Sequence, residues 1–169
     1  FEQVNAAVAA ALREDVLAAL PSQGRVLDLY AGAGAVGLAL AARGCDVATV
    51  EVDTRAARWT AERARERGLP LRAVAAKVED VLPKLLPADA VVVNPPRTGL
   101  EAAAGAALAA APPARLVYVS CDPATLARDL VRLGATAGRL TTLRSYDMFP
   151  QTSHVETFAV LDRESGPAR

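Results

Sequence analysis

Leu116-Val117-Tyr118-Val119-Ser120-Cys121-Asp122-Pro123-Ala124-Thr125-Leu126-Ala127-Arg128-Asp129-Leu130 changes its period in the middle. The first half is apolar and rich in β-branched residues, as a buried strand is. The second half sets Leu126, Leu130 and, just beyond, Leu133 at helical spacing. Asp122 suits the N-cap of that helix, and Pro123 suits a first helical position, where a missing N–H costs nothing. Cys121 therefore falls between the carboxyl end of a strand and the amino end of a helix. Ligands of open α/β sheets bind at that edge, and the positive end of the helix dipole favours a thiolate there. On position alone Cys121 reads equally as a small buried apolar residue.

The same strand-then-helix alternation extends toward the N-terminus. Val4, Val8, Leu12, Val16 and Leu20 recur every fourth residue and predict a helix over 4–20. Strands are expected at 25–30, 46–51, 71–75 and 90–94, and helices at 54–67, 78–86 and 100–111, with a further helix opened by the stretch Ala31 to Gly37 and running to about Arg43. Gly44 and Gly68 mark helix ends. Ala90-Val91-Val92-Val93 is continuously apolar, as a parallel strand covered on both faces must be. Toward the C-terminus two strands follow one another, about 139–145 and 154–162. The expectation is an α/β fold in one domain: a mostly parallel sheet with helices on both faces and an antiparallel strand at its end.

Composition excludes several classes. Hydrophobic residues make up 52% of 169, enough for a core. No apolar run nears the ~18 residues of a membrane helix, and no stretch at the start reads as a signal peptide. Two cysteines and one histidine form neither a disulfide framework nor a zinc set, so no metal is expected and a reducing, cytoplasmic setting is. Nineteen basic and nineteen acidic residues cancel, which argues against strong non-specific nucleic-acid binding by this chain alone.

Four strand ends converge on one crevice: Asp28 to Gly34, Glu51, Asn94 to Arg97, and Ser120-Cys121. Gly32, Gly34 and Gly37 spell G-x-G-x-x-G, and Glu51 follows at the distance of a ribose-binding acid. The loop fits nicotinamide or S-adenosylmethionine. Asp28 inside the strand and the paired last strands favour the second. Asn94-Pro95-Pro96 suits a planar nitrogenous group or a rigid turn. Arg97 is an anion ligand or an ordinary surface arginine. Cys45 and lone His154 read as structural, and Trp59 with the arginines of 54–67 as an outer face.

Read together, Phe1-x-Gln3-Val4-Asn5, Asp28-Leu29-Tyr30-x-Gly32-x-Gly34, Asn94-Pro95-Pro96-Arg97-x-Gly99, Val117 to Asp129, and Asp147-Met148-Phe149-Pro150-x-Thr152-x-His154-Val155-Glu156 resemble the successive motifs of the RNA uracil carbon-5 methyltransferases, which make 5-methyluridine in tRNA and ribosomal RNA. The resemblance runs the length of the chain. It implies a class I S-adenosylmethionine-dependent (Rossmann-like) methyltransferase fold. It implies S-adenosylmethionine held by Gln3, Tyr30, Glu51, Asn94 and the Gly32–Gly34 loop. Cys121 would be the nucleophile and Glu156 the base, with Phe1 and Arg97 toward the RNA. The chain, 1–169, would be the catalytic domain of a protein whose RNA-binding region precedes Phe1. Two positions depart from the family: Asn94 stands for an acid, and Asp122 for the usual Asn. Two rival readings remain. One is amino-methylation at Asn94-Pro95-Pro96; the other is a non-catalytic module that binds cofactor and docks RNA or a partner.

Overall fold

The computed structural model describes residues 6–148 and 155–163. Seven strands alternate with six helices: α1 (Ala6–Ala19), β1 (Arg25–Leu29), α2 (Ala35–Ala42), β2 (Asp46–Glu51), α3 (Thr54–Glu66), β3 (Leu71–Ala75), α4 (Val78–Leu85), β4 (Ala90–Val93), α5 (Ala102–Ala110), β5 (Arg115–Ser120), α6 (Pro123–Leu133), β6 (Arg139–Tyr146) and β7 (Glu156–Asp162), with a 3-10 turn at Gly134–Ala137. The strands form one sheet in the order β3-β2-β1-β4-β5-β7-β6. β1 to β5 pair in parallel, and β7 runs antiparallel to both β5 and β6. The antiparallel strand was expected at the end of the sheet. It is inserted one place inside, and β6 forms the edge.

Successive side chains of a strand point to opposite faces, and the central strands divide cleanly. Leu27, Leu29, Val91, Val93, Leu116, Tyr118, Ala159 and Leu161 join Leu82, Leu108, Leu126 and Leu133 in a core under α4, α5 and α6. Val26, Ala90, Val92, Val117, Val119, Phe158 and Val160 join Leu12, Val16, Leu20 and Leu40 under α1 and α2. Burial on both faces is why these strands read as unbroken apolar runs.

Several ends differ from the expected ones, for local reasons. The helix expected to open at Leu100 begins at Ala102, because Glu101, with ψ 144°, is still extended and serves as the N-cap. β4 ends at Val93, and the Asn94 N–H donates to the Leu29 carbonyl. The start expected for the first helix, at Val4, and the start expected for the last strand, at His154, lie outside the described residues.

Helix α1 is tied down along its second half. Arg115 donates to the Ala19 carbonyl and Arg43 to the Leu17 carbonyl. Asp15 takes an ion pair from Arg144 and a hydrogen bond from the Tyr146 hydroxyl, both from β6. No helix among the described residues is long and apolar enough to cross a membrane.

Candidate active site

The parallel strands deliver their carboxyl ends to one edge, where a cavity of ≈ 800 Å³ opens under α1. Ala6, Ala9, Ala10, Leu12, Arg13 and Val16 of α1 form one wall; Asp28, Tyr30, Ala31, Ala35, Val36, Val92, Asn94 and Val119 form the rest.

The glycine loop turns tightly. The Gly34 N–H donates to the Ala31 carbonyl, and both Gly32 (φ +54) and Gly34 (φ +69) lie in the left-handed region that glycine tolerates. Nothing lies within 4 Å of where a Cβ of Gly32 would stand, so the loop borders open space. Gly37 has the opposite reason: a Cβ there would stand 2.4 Å from Thr49 Cγ2 and 3.1 Å from Asp28 Oδ2. Its N–H donates to Asp28 at 2.9 Å. Burial, together with the nearby Glu51 charge, pushes Asp28 up to about 7 against that hydrogen bond. The Glu51 carboxylate is fixed by two backbone donors, Gly32 N–H at 2.8 Å and Asp53 N–H at 2.9 Å.

Tyr30 breaks the strand alternation. Its neighbours Val26 and Asp28 face α1 and α2, yet its ring packs with the opposite core. The cause is a positive φ of 59°, a costly conformation for a bulky residue. Burial first, then the negative charges of Glu79, Glu101 and Asp129, push its hydroxyl up to about 12.

Cys121 and Glu156 arrive by register. Ser120–Thr157 is the last pair of the β5–β7 ladder, so Cys121, the residue after β5, and Glu156, the first residue of β7, stand at the same end of the two strands. Val119, two residues before Cys121, belongs to the cavity wall. Cys121 and Glu156 are both partly exposed, and burial raises the Glu156 carboxyl above its ordinary range. Asp122 caps α6 as expected, accepting from the Thr125 N–H at 2.8 Å. That hydrogen bond, aided by the Arg97 charge, lowers its pKa.

Tyr30 and Asn94 thus line the cavity, Gly32 and Glu51 are joined by a hydrogen bond beside its wall at Ala31, and Cys121 and Glu156 stand at the β5–β7 end of the same sheet edge. Gly34 faces Thr60 of α3 and serves the turn. Arg97 is exposed on the loop after β4. Gln3 and Phe1 lie outside the described residues, as does His154. Cys45 is buried and its thiol approaches the Pro21 carbonyl at 3.3 Å, a structural role. Sequence reasoning missed Asp129 and Tyr118, which are hydrogen-bonded to each other beneath the site. The available signal was an acid three residues after Leu126, on the apolar stripe of α6. Among the described residues no three His, Cys, Asp or Glu side chains gather as a metal set.

Known proteins are similar to this chain in sequence and fold. The chain is 41% identical over its full length to the 23S rRNA (uracil(1939)-C(5))-methyltransferase RlmD of Chromohalobacter salexigens, covering 36% of that protein. It is also 41% identical to the RlmD of Azoarcus, over 96% of this chain and 40% of the relative. It thus spans about two-fifths or less of the length of these relatives. Among solved structures, the Pyrococcus abyssi tRNA (uracil-54, C5)-methyltransferase in complex with S-adenosyl-L-homocysteine superposes with a TM-score of 0.84 at 32% identity, over 95% of this chain and 40% of that one. A methyltransferase small domain profile matches residues 7–117. A second profile matches residues 72–164, more than half of the chain, and takes in both the Cys121 turn and the Glu156 strand; by that match the chain belongs to the tRNA (uracil-5-)-methyltransferase family.

Proposed function

We propose that this chain is the catalytic part of an enzyme that methylates carbon 5 of uracil in ribosomal or transfer RNA, with S-adenosylmethionine as methyl donor and Cys121 as covalent nucleophile. One observation carries the reading: the β5–β7 register, whose last pair, Ser120–Thr157, sets Glu156 of β7 beside the end of β5 that Cys121 follows. The names of the relatives and the ligand of the Pyrococcus structure support the reaction and the donor.

The residues fit such a donor. Open space at Gly32 adjoins the fixed Glu51 carboxylate, which suits ribose hydroxyls, and Asn94 offers an amide at the cavity wall. Gln3 belongs to the same proposed set. When bound, the donor supplies the methyl group that carbon 5 accepts. The chain's own residues do the rest. Cys121 adds as thiolate to carbon 6, which turns the 5,6 double bond and its carbonyl into an enolate and makes carbon 5 nucleophilic. After methylation Glu156 takes the proton from carbon 5; the electron pair re-forms the double bond and expels the thiolate. A carboxyl raised by burial is a stronger base than an ordinary one, in keeping with that role. Arg97 and Phe1 are proposed to hold the extruded nucleotide.

The test is a denaturing gel with full-length protein and substrate RNA. Wild type with 5-fluorouridine RNA is expected to give a slow protein–RNA band, because fluorine cannot leave as a cation. Glu156→Gln should give the band with ordinary RNA, and Cys121→Ala with neither. An adduct in Cys121→Ala would sink the nucleophile assignment. No adduct with any variant would favour amino-methylation at Asn94 or a docking module.

A further inference from the structure

Asp129 lies in the middle of α6, yet it is only 1% exposed. A buried acid needs partners, and Asp129 draws them from three separate pieces of chain. Its Oδ2 accepts from the Leu100 N–H at 2.7 Å and from the Tyr118 hydroxyl at 2.7 Å. Its Oδ1 accepts from Arg128 Nε at 3.0 Å and from the terminal guanidinium nitrogen at 2.8 Å, with Arg132 3.7 Å away. The same Arg128 nitrogen reaches on to the Thr98 carbonyl at 2.7 Å. Between Thr98 and Leu100, Gly99 has φ +80, and a Cβ there would stand 2.3 Å from Asp129 Oδ2 and 2.4 Å from Thr125 Cγ2. The loop and the helix touch with no room for a methyl group.

The two pieces joined here carry different halves of the site. The loop 94–100 bears Asn94 and Arg97, and α6 begins directly after Cys121. Arg97 is near enough to Asp122 for its charge to act on that carboxyl. Asp129 itself does not line the large cavity; it borders a separate one of ≈ 330 Å³ between α5 and α6. Any effect on reacting atoms must pass through the loop and the helix.

We propose that Asp129 is a positioning residue that locks the Arg97–Leu100 end of the loop after β4 against α6, the helix that follows Cys121, holding the two in one register. This deepens the proposed function and rests on it for its consequence in catalysis. A misplacement of about 1 Å between reacting groups costs on the order of 100-fold in rate.

The experiment uses the full-length protein and two readouts. In hydrogen exchange, Asp129→Asn should speed exchange at 97–100 and in the first turn of α6 together, with β1 and β2 unchanged. In kinetics on uridine-containing RNA it should lower kcat by on the order of 10–100-fold, with the S-adenosylmethionine Kd, measured by calorimetry, within about two-fold. Gly99→Ala, which forces the same contact apart from the loop side, should match it, and the double variant should be no worse than either single one. Should Asp129→Asn not fold, Gly99→Ala and Tyr118→Phe give the same two readouts. Unchanged exchange in the loop, an unchanged kcat, or protection lost across the whole sheet would each overturn the proposal. A wild type that leaves uracil unmethylated would sink the functional reading instead, and exchange alone would then decide the lock.

Discussion

Asp28 is the residue on which pH acts most directly. Its ordinary value of 3.8 is raised to about 7, chiefly by burial. The folded protein therefore keeps this proton where the unfolded chain has lost it. Between the two values the folded state binds more protons, so stability falls as pH rises, and the loss is complete above about 7. At ~1.36 kcal/mol per pH unit the effect reaches roughly 4 kcal/mol. Asp28→Asn still accepts from Gly37 but has no charge to bury. Its melting temperature should exceed that of wild type by a margin that grows from about pH 4 to about pH 7; parallel curves for the two proteins would refute the assignment. Asp122 offers a second case. Asp122→Asn should preserve the cap on Thr125 and Asp122→Ala should lose it, read as a lower melting temperature for Ala alone. The Asp122 cap was legible because an N-cap depends on neighbours in sequence. The flip of Tyr30 and the partners of Asp129 were not, because tyrosine carries no preference for positive φ and the donors to Asp129 come from 11 and 29 residues away.

At the scale of elements, α2 rests on β1 and β2 through Gly37. Gly37→Ala would drive a Cβ into Thr49 Cγ2. Such overpacking costs about 1–3 kcal/mol. Thr49→Ser removes that methyl, so the double variant should recover much of the loss, a coupling that denaturant melts of the four proteins would measure. Additive losses would mean that the clash lies elsewhere. The positions of the elements were legible because each is marked by a local period and a stop: the strands at 46–51 and 71–75 begin and end where expected. Their ends blur where the backbone angles of one residue set the boundary, as the extended Glu101 does before α5. The place of the last strand was not legible. Periodicity gives a strand its faces but says nothing of which neighbours it joins, and β7 passes β6 to reach β5.

At the scale of the whole molecule, the crevice was legible because a parallel sheet must deliver all its carboxyl ends to one edge, whatever the strand order. That β7 brings Glu156 to the end of β5 that Cys121 follows depends on that order and needed the structure. The order also has a consequence in time. The chain is made from its N-terminus, and the piece that completes the sheet is made last. β5 has apolar residues toward both cores and keeps one edge unpaired until β7 arrives. At ~5–20 residues per second that interval lasts on the order of seconds. During it Cys121 lacks Glu156 beside the end of β5, and the open edge is a template for another chain. A protein cut after Tyr146 should aggregate, seen as light scattering on refolding, and a stable monomer would contradict the argument.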